Sequence, residues 1–217
     1  MSIGIQAKVL SINIGRKAPV TYQNKQLLTG IYKQPTEGSI NLTLLNFDGD
    51  EQADLQYHGG RDKAVCVYPS EHYAHWSEVI GAELTPGAFG ENITTQHLLE
   101  PHVYIGDIYR LGSALVQVSQ PRQPCFKLSV KWGQPKLPLY VQTTGYTGYY
   151  FRVLQEGSAA QGDELHLQER VPNSLSIQEA NLIMYDKEAD AARIRSLLDV
   201  PALSDSWRYT LTKRLEK

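Results

Sequence analysis

Cysteine is nearly absent: the 217 residues contain two, Cys66 and Cys125. Two thiols make at most one disulfide, cannot build an all-thiolate zinc site and cannot hold a four-cysteine iron–sulfur cluster. That scarcity fits a reducing compartment. Long apolar runs are missing too. No stretch approaches the ~20 residues that cross a bilayer. The opening MSIGIQAKVLSINIGRK alternates where a secretory signal would run apolar. A cytoplasmic chain with no membrane partner is the expectation. Charge of one sign is also lacking. With 21 basic and 23 acidic residues, the net charge of −2 gives no general pull toward nucleic acid, so any anion binding has to be local. The familiar signatures G-x-S-x-G, Walker A, H-E-x-x-H and C-x-x-C do not occur, and no G-x-G-x-x-G follows a strand. That argues against the common hydrolase, nucleotide-binding and dinucleotide-binding classes.

What is present is the grammar of short strands. From Lys8 to Glu169 the segments AKVLSINIG, NLTLLNFDGD, DKAVCVYP, HVYIGDIYRLG, ALVQVSQP and DELHLQE are rich in Val, Ile, Leu and Tyr. Gly, Pro, Asn or Asp bound them. GSAL at 112–115 joins two of them at near-hairpin distance. Many short strands with few helices predict a mostly β, barrel-like fold rather than an alternating α/β sheet. Ser70 is placed to cap a helix over SEHYAHWSEVIG, with Tyr73, Trp76 and Ile80 on one stripe, and a short helical turn is expected around Tyr149–Leu154. After about residue 172 the pattern changes. Ser176 and Glu179 spell a capping box, Ala191, Ile194, Leu197 and Leu198 recur at helical spacing, and Ser204 opens a third helix with Trp207, Leu211 and Leu215 in four-residue steps. The expected division is a barrel over 1–170 and a three-helix extension over 171–217, too small to bury much surface alone.

Four segments carry chemistry. In QVSQPRQPCFKL (117–128), Pro124 fixes the backbone before Cys125, while Arg122 and Lys127 bring positive charge toward the sulfur, as a thiolate ligand requires. The residues alone also allow a small buried cysteine there, and Cys66, inside the apolar run AVCVY, reads as core packing. In GDEQADLQYHGGRDKAV (49–65), Gly59 and Gly60 leave backbone amides open to an anion, with His58, Arg61 and Lys63 around them. A plain glycine turn is the competing reading. Asp48, Asp50, Glu51 and Asp54 lack the order of a calcium loop. FGENIT (89–94) offers Asn92, which can donate and accept, and TTGYTGYYFRVL (143–154) reads as a tyrosine-bearing loop.

Taken in order, GDEQAD, HGGRDKAVCVYP, FGEN, GDIYRLG and QVSQPRQPC resemble the MOSC domain family, in its YiiM-type subgroup, over roughly residues 10–170, and the last segment resembles that subgroup's three-helix extension. The resemblance implies a MOSC barrel that binds the molybdenum cofactor, with Cys125 as the molybdenum ligand and the catalytic residue. It implies a phosphate seat from His58, Gly59, Gly60 and Lys63, an anion or pterin contact from Arg122, a pterin contact from Asn92, and Ser119 and Gln120 lining the site. The implied reaction is reduction of small N-hydroxylated compounds, such as hydroxylaminopurines, to amines, a detoxifying activity. With no cluster of its own, the chain needs a separate electron donor, a flavin or iron–sulfur reductase. Two other functions remain open at this point: a sulfur carrier using a Cys125 persulfide, and a non-catalytic molybdopterin-binding module.

Overall fold

The computed structural model describes residues 7–54, 59–186 and 188–216. Twelve strands appear among them: β1 (Ala7–Ile14), β2 (Ala18–Tyr22), β3 (Lys25–Thr29), β4 (Gln34–Pro35), β5 (Ser39–Leu42), β6 (Val65–Pro69), β7 (Ile93–Gln96), β8 (Ile108–Leu111), β9 (Ala114–Pro121), β10 (Tyr149–Gln155), β11 (Gly157–Ala160) and β12 (Glu164–Glu169). Seven of them close a barrel in the order β12-β8-β9-β10-β6-β7-β1. The ring is completed where Ala7 and Lys8 pair with Leu165 and Glu164. All these pairings are antiparallel except β6 with β7. Closure leaves no unpaired edge within the ring. β4 adds to β1, while β2–β3 and β5–β11 form two small ribbons outside it. The expectation of a barrel-like β fold is met.

Period-2 side chains explain the ring. Along β9, Ala114, Val116 and Val118 are buried, and Val9 and Ile12 on β1 and Phe151 and Val153 on β10 meet them in one core. Leu111 pairs with Ala114, so Gly112 and Ser113 form the two-residue turn expected from GSAL, with Gly112 at φ 55. Residues 149–154 correct the sequence reading: they form a central strand, not a helical turn, because Tyr149, Phe151 and Val153 alternate into the core. NLTLLNFDGD yields only the end of β5, and HVYIGDIYRLG only β8.

The helices are α1 (Tyr73–Ile80), α2 (Lys127–Trp132), α3 (Leu137–Thr144), α4 (Ile177–Tyr185), α5 (Ala191–Leu198) and α6 (Asp205–Leu215). Ser70 does not cap α1: a tight turn over Ser70–His72 precedes it, and no side chain caps either element. The apolar stripe is real, with Trp76 fully buried. α2 and α3 were not legible in the sequence. They build a second core from Leu128, Leu137 and Val141 against Trp76, Tyr68 and Phe89. The last three helices follow the sequence reading. Ser176 and Glu179 form the capping box, and Ser204 Oγ accepts from the Trp207 amide. Their buried side chains, Ile177, Ile194, Leu197, Trp207 and Leu211 among them, belong to the same core cluster as the barrel's. No helix among the described residues is long and apolar enough to cross a membrane.

Candidate functional site

Cys125 stands at a seam between the two cores. β9 delivers the chain to Pro121. Arg122 is then buried, its amide donating to Gly148 O (3.0 Å) and its Nη2 to Phe89 O (2.6 Å). Three residues beyond Cys125, Leu128 is fully buried at the start of α2 and its amide donates to Cys125 O (3.0 Å). Burying such a leucine is worth ~1.5–3 kcal/mol, so the cysteine loop is pinned at both ends. Between these anchors the Cys125 thiol is half-buried, and the Lys127 amide donates to its Sγ at 3.3 Å.

The thiol borders an open cleft, walled among others by Gly30, Ile31, Lys33, Lys63, Cys66, Asn92, Arg122, Lys127 and Tyr150. Four cationic side chains, Lys33, Lys63, Arg122 and Lys127, share this wall with one carboxylate, Glu51. A chain of net charge −2 thus gathers local positive charge around its accessible thiol, which favours an anionic ligand. Burial opposes the charge of Arg122, but the neighbouring Cys66, Tyr150, Cys125 and Glu91 groups outweigh it and raise its pKa. Burial lowers the pKa of Lys63, against the pull of Asp62 and Asp54. It also pushes the Cys66 thiol up, with Cys66 only 6% exposed. The two cysteines therefore share one cleft in different roles: Cys125 at its mouth, Cys66 in its wall.

Beneath the wall lies a buried polar knot. Lys33 Nζ donates to Asp50, whose carboxylate also accepts from the Gly15 amide and from Asn92 Nδ2 (both 2.9 Å). Asn92 Oδ1 accepts from the Cys66 amide (3.1 Å), while the Asn92 amide donates to Cys66 O (2.7 Å). Asn92 therefore borders the cleft with its side chain already engaged. Ser119 and Gln120 are buried beside it but are not part of the lining. Ser119 Oγ donates to Asp62 O (2.6 Å) and Tyr150 O (3.1 Å), and Gln120 Oε1 accepts from Ser206 Oγ (3.0 Å). Of the glycine turn, Lys63 reaches the cleft. Gly60, at φ 88, is exposed and opens the tight turn Arg61–Lys63, and Gly59 lies next to it outside the lining. His58 lies outside the described residues.

Sequence reasoning missed the wall contributed by residues 29–33. A signal was there. Thr29, Ile31 and Lys33 are buried while Leu28 and Tyr32 are exposed, so Lys33 falls on the inward parity of an extended run, where a lysine needs a partner or a task. Gly30 is required by close approach: a Cβ there would sit 2.3 Å from Glu51 O. Gly30→Ala is expected to cost about 1–3 kcal/mol through forced displacement, read as a lowered urea midpoint.

Lys131, on α2, ties the same wall together by donating to Gly87 O (2.7 Å) and Ile31 O (3.4 Å). Burial pushes its pKa down to about 8; Glu91 opposes the shift, and the charges of Arg122 and Lys33 add to it. Between that value and 10.5 the unfolded chain holds a proton that the folded chain has released, so this residue makes stability rise with pH across the interval. Unfolding free energies of the wild type and Lys131→Met, compared at pH 8, 9 and 10, should show the wild type gaining on the variant as pH increases.

The MOSC domain profile matches residues 54–166, and the profile of the YiiM-like 3-alpha helix domain matches residues 175–217. The protein YflK of Bacillus subtilis is 48% identical over 209 residues, covering 96% of this chain and 95% of YflK. The chain belongs to the MOSC family. The crystal structure of YiiM from Geobacillus stearothermophilus superposes with a TM-score of 0.83 at 44% identity, covering 96% of this chain and 99% of that one. A protein of Gibberella moniliformis named "Reductase" is 38% identical over 153 residues, which are 67% of this chain and 26% of that longer protein. The MOSC family is associated with molybdenum-cofactor binding, and the donors present suit that group. Cys125 offers one soft sulfur at the cleft mouth. Among the described residues no three His, Cys, Asp or Glu side chains form a metal-holding group.

Proposed function

We propose that this MOSC protein binds the molybdenum cofactor at the cleft and reduces N-hydroxylated compounds to amines. The observation that carries the reading is an accessible thiol at the mouth of a cationic cleft in a chain without net positive charge. The fungal relative named a reductase supports the reaction class. Bound there, the cofactor supplies two-electron redox chemistry, and the reaction balances as R–NHOH plus two electrons and two protons giving R–NH2 and water.

The chain's own residues have separate tasks. Cys125 Sγ is the metal-facing donor, and the Lys127 amide bond to it orients the sulfur. Lys63, Arg122 and Lys127 supply cationic ground for an anionic cofactor tail, and Arg122 keeps its direction because Phe89 O holds its Nη2. Lys33 and Lys63 contribute less net charge, Lys33 being paired with Asp50 and Lys63 lying near the charges of Asp62 and Asp54. Tyr150 lines the cleft as a neutral phenol, since burial raises its pKa, with Cys66 adding to the shift. Electrons come from a separate donor protein.

The test compares the full chain from a host that makes the cofactor with the same chain from a host that does not. Reduction of a hydroxylaminopurine by a reduced dye should occur only with the first. Equal turnover, or none in either, would overturn the proposal.

A further inference from the structure

The polar contacts of the C-terminal helices are distributed in a way that covering the barrel does not require. Burial of Ile177, Trp207 and Leu211 would suffice for a cover. Instead the helical segment reaches the segments that carry cleft residues. The Ser204 amide donates to Ser119 O (3.1 Å), and Ser206 Oγ donates to Gln120 Oε1 (3.0 Å). Gln120 in turn donates from Nε2 to Pro121 O (3.1 Å), the residue before Arg122. Asn181 Nδ2 donates to Thr147 Oγ1 (2.9 Å), which donates to Gly148 O (2.8 Å), the carbonyl that also receives the Arg122 amide. A further tie reaches the turn that bears Lys63: the Asp205 amide donates to Asp62 Oδ2 (3.1 Å), and Arg152 bridges Asp62 (2.8 Å) to Ala202 O (2.9 Å).

We propose that the three C-terminal helices aim Cys125, and that Gln120, held by Ser206, is the positioning residue through which they do so. Gln120 touches neither metal nor substrate; it fixes Pro121, and with it the start of the rigid loop that ends at the thiol. The inference rests on the reading of Cys125 as the ligand in the cleft, but its test needs neither cofactor nor substrate.

The full-length chain is alkylated with iodoacetamide and modification of Cys125 is timed by mass spectrometry, with buried Cys66 as the internal slow reference. Losing one hydrogen bond that holds the loop should change the Cys125 rate by about fivefold in Ser206→Ala, and Gln120→Ala, which also loses the bond to Pro121 O, should change it by at least as much. The double variant should be no worse than Gln120→Ala alone, because that substitution already removes the Ser206–Gln120 bond. Ser206→Thr, which keeps the hydroxyl, should restore the wild-type rate. Arg214→Ala is the control. It removes bonds from α6 to Ile183 O, Met184 O and Asp186 O within the helical segment, and should lower the melting temperature without changing the rate. Wild-type rates in Ser206→Ala and Gln120→Ala, additive effects in the double variant, or an equal effect in Arg214→Ala would each overturn the proposal. Should Gln120→Ala not fold, Ser206→Ala and Ser206→Thr decide it. If reduction survives Cys125→Ser while Ser206→Ala still alters alkylation, the functional reading falls and the positioning role stands.

Discussion

Cys125→Ser is expected to abolish reductive turnover while leaving the fold intact. The loss should exceed the ~10–100-fold typical of groups that merely orient a metal ligand, because the substitution removes the half-buried soft donor of the cleft and leaves a hydroxyl that binds the metal poorly. Stability should barely change. The thiol is half-buried, its recorded bond is a single amide contact, and the replacement is nearly isosteric, so the unfolding free energy should stay within about 0.5 kcal/mol of wild type. Cys66→Ser should do the reverse: it places a hydroxyl in an apolar strand, lowers stability, and retains turnover. Turnover with a reduced dye and urea unfolding, measured on both variants, check the pair of expectations. A fully active Cys125→Ser would remove the basis of the functional reading.

The second large effect is on stability. Asp50→Ala should cost about 3–5 kcal/mol, the range for breaking a buried ion pair by removing one partner. Lys33 would be left charged at 6% exposure, and the Gly15 amide and Asn92 Nδ2 would lose their acceptor. Because Asn92 also joins the FGEN turn to β6 through Cys66, the damage should spread along the cleft wall. Lys33→Met combined with Asp50→Asn should be less harmful than Asp50→Ala alone, since no unpaired charge remains. Urea midpoints of the three proteins measure this. A shift below about 1 kcal/mol for Asp50→Ala would mean that the knot is not a structural element of the wall.

The sequence made the barrel legible because short apolar runs such as β1, β9 and β12 lie between turn residues, and it made the last three helices legible because Ser176, Glu179 and Ser204 are explicit start signals. α2 and α3 escaped notice for a physical reason. They are short, their apolar residues form no stripe that stands out, Pro138 sits in the first turn of α3, and they are stabilised by contact with Trp76 and Phe89, which lie far away in sequence. β10 was misread because TTGYTGYY carries the composition of a loop, although its inward residues were already at period two.

The candidate site was legible in its centre and not at its edges. A cysteine after proline with basic neighbours is a local pattern, and so is the lysine of the glycine turn; both border the cleft. Another part of its wall comes from residues 29–33, distant in sequence and outside every motif, joined to the GDEQAD stretch by the Lys33–Asp50 pair. Ser119 and Gln120 sit in the right segment, yet neither lines the cleft: Ser119 bonds to the tight turn at Asp62 and Gln120 to the C-terminal helices. A sequence segment can thus be correct for a site while its individual side chains serve the scaffold beside it.

The central claim is that the sulfur of Cys125 holds molybdenum in this cleft. Elemental analysis of the chain purified from a cofactor-competent host, with Cys125 present and with it replaced by serine, tests that claim directly. About one molybdenum per chain in the wild type, falling to background in the variant while the two proteins unfold alike, is the predicted result. Equal molybdenum in both, or none in the wild type, would contradict it.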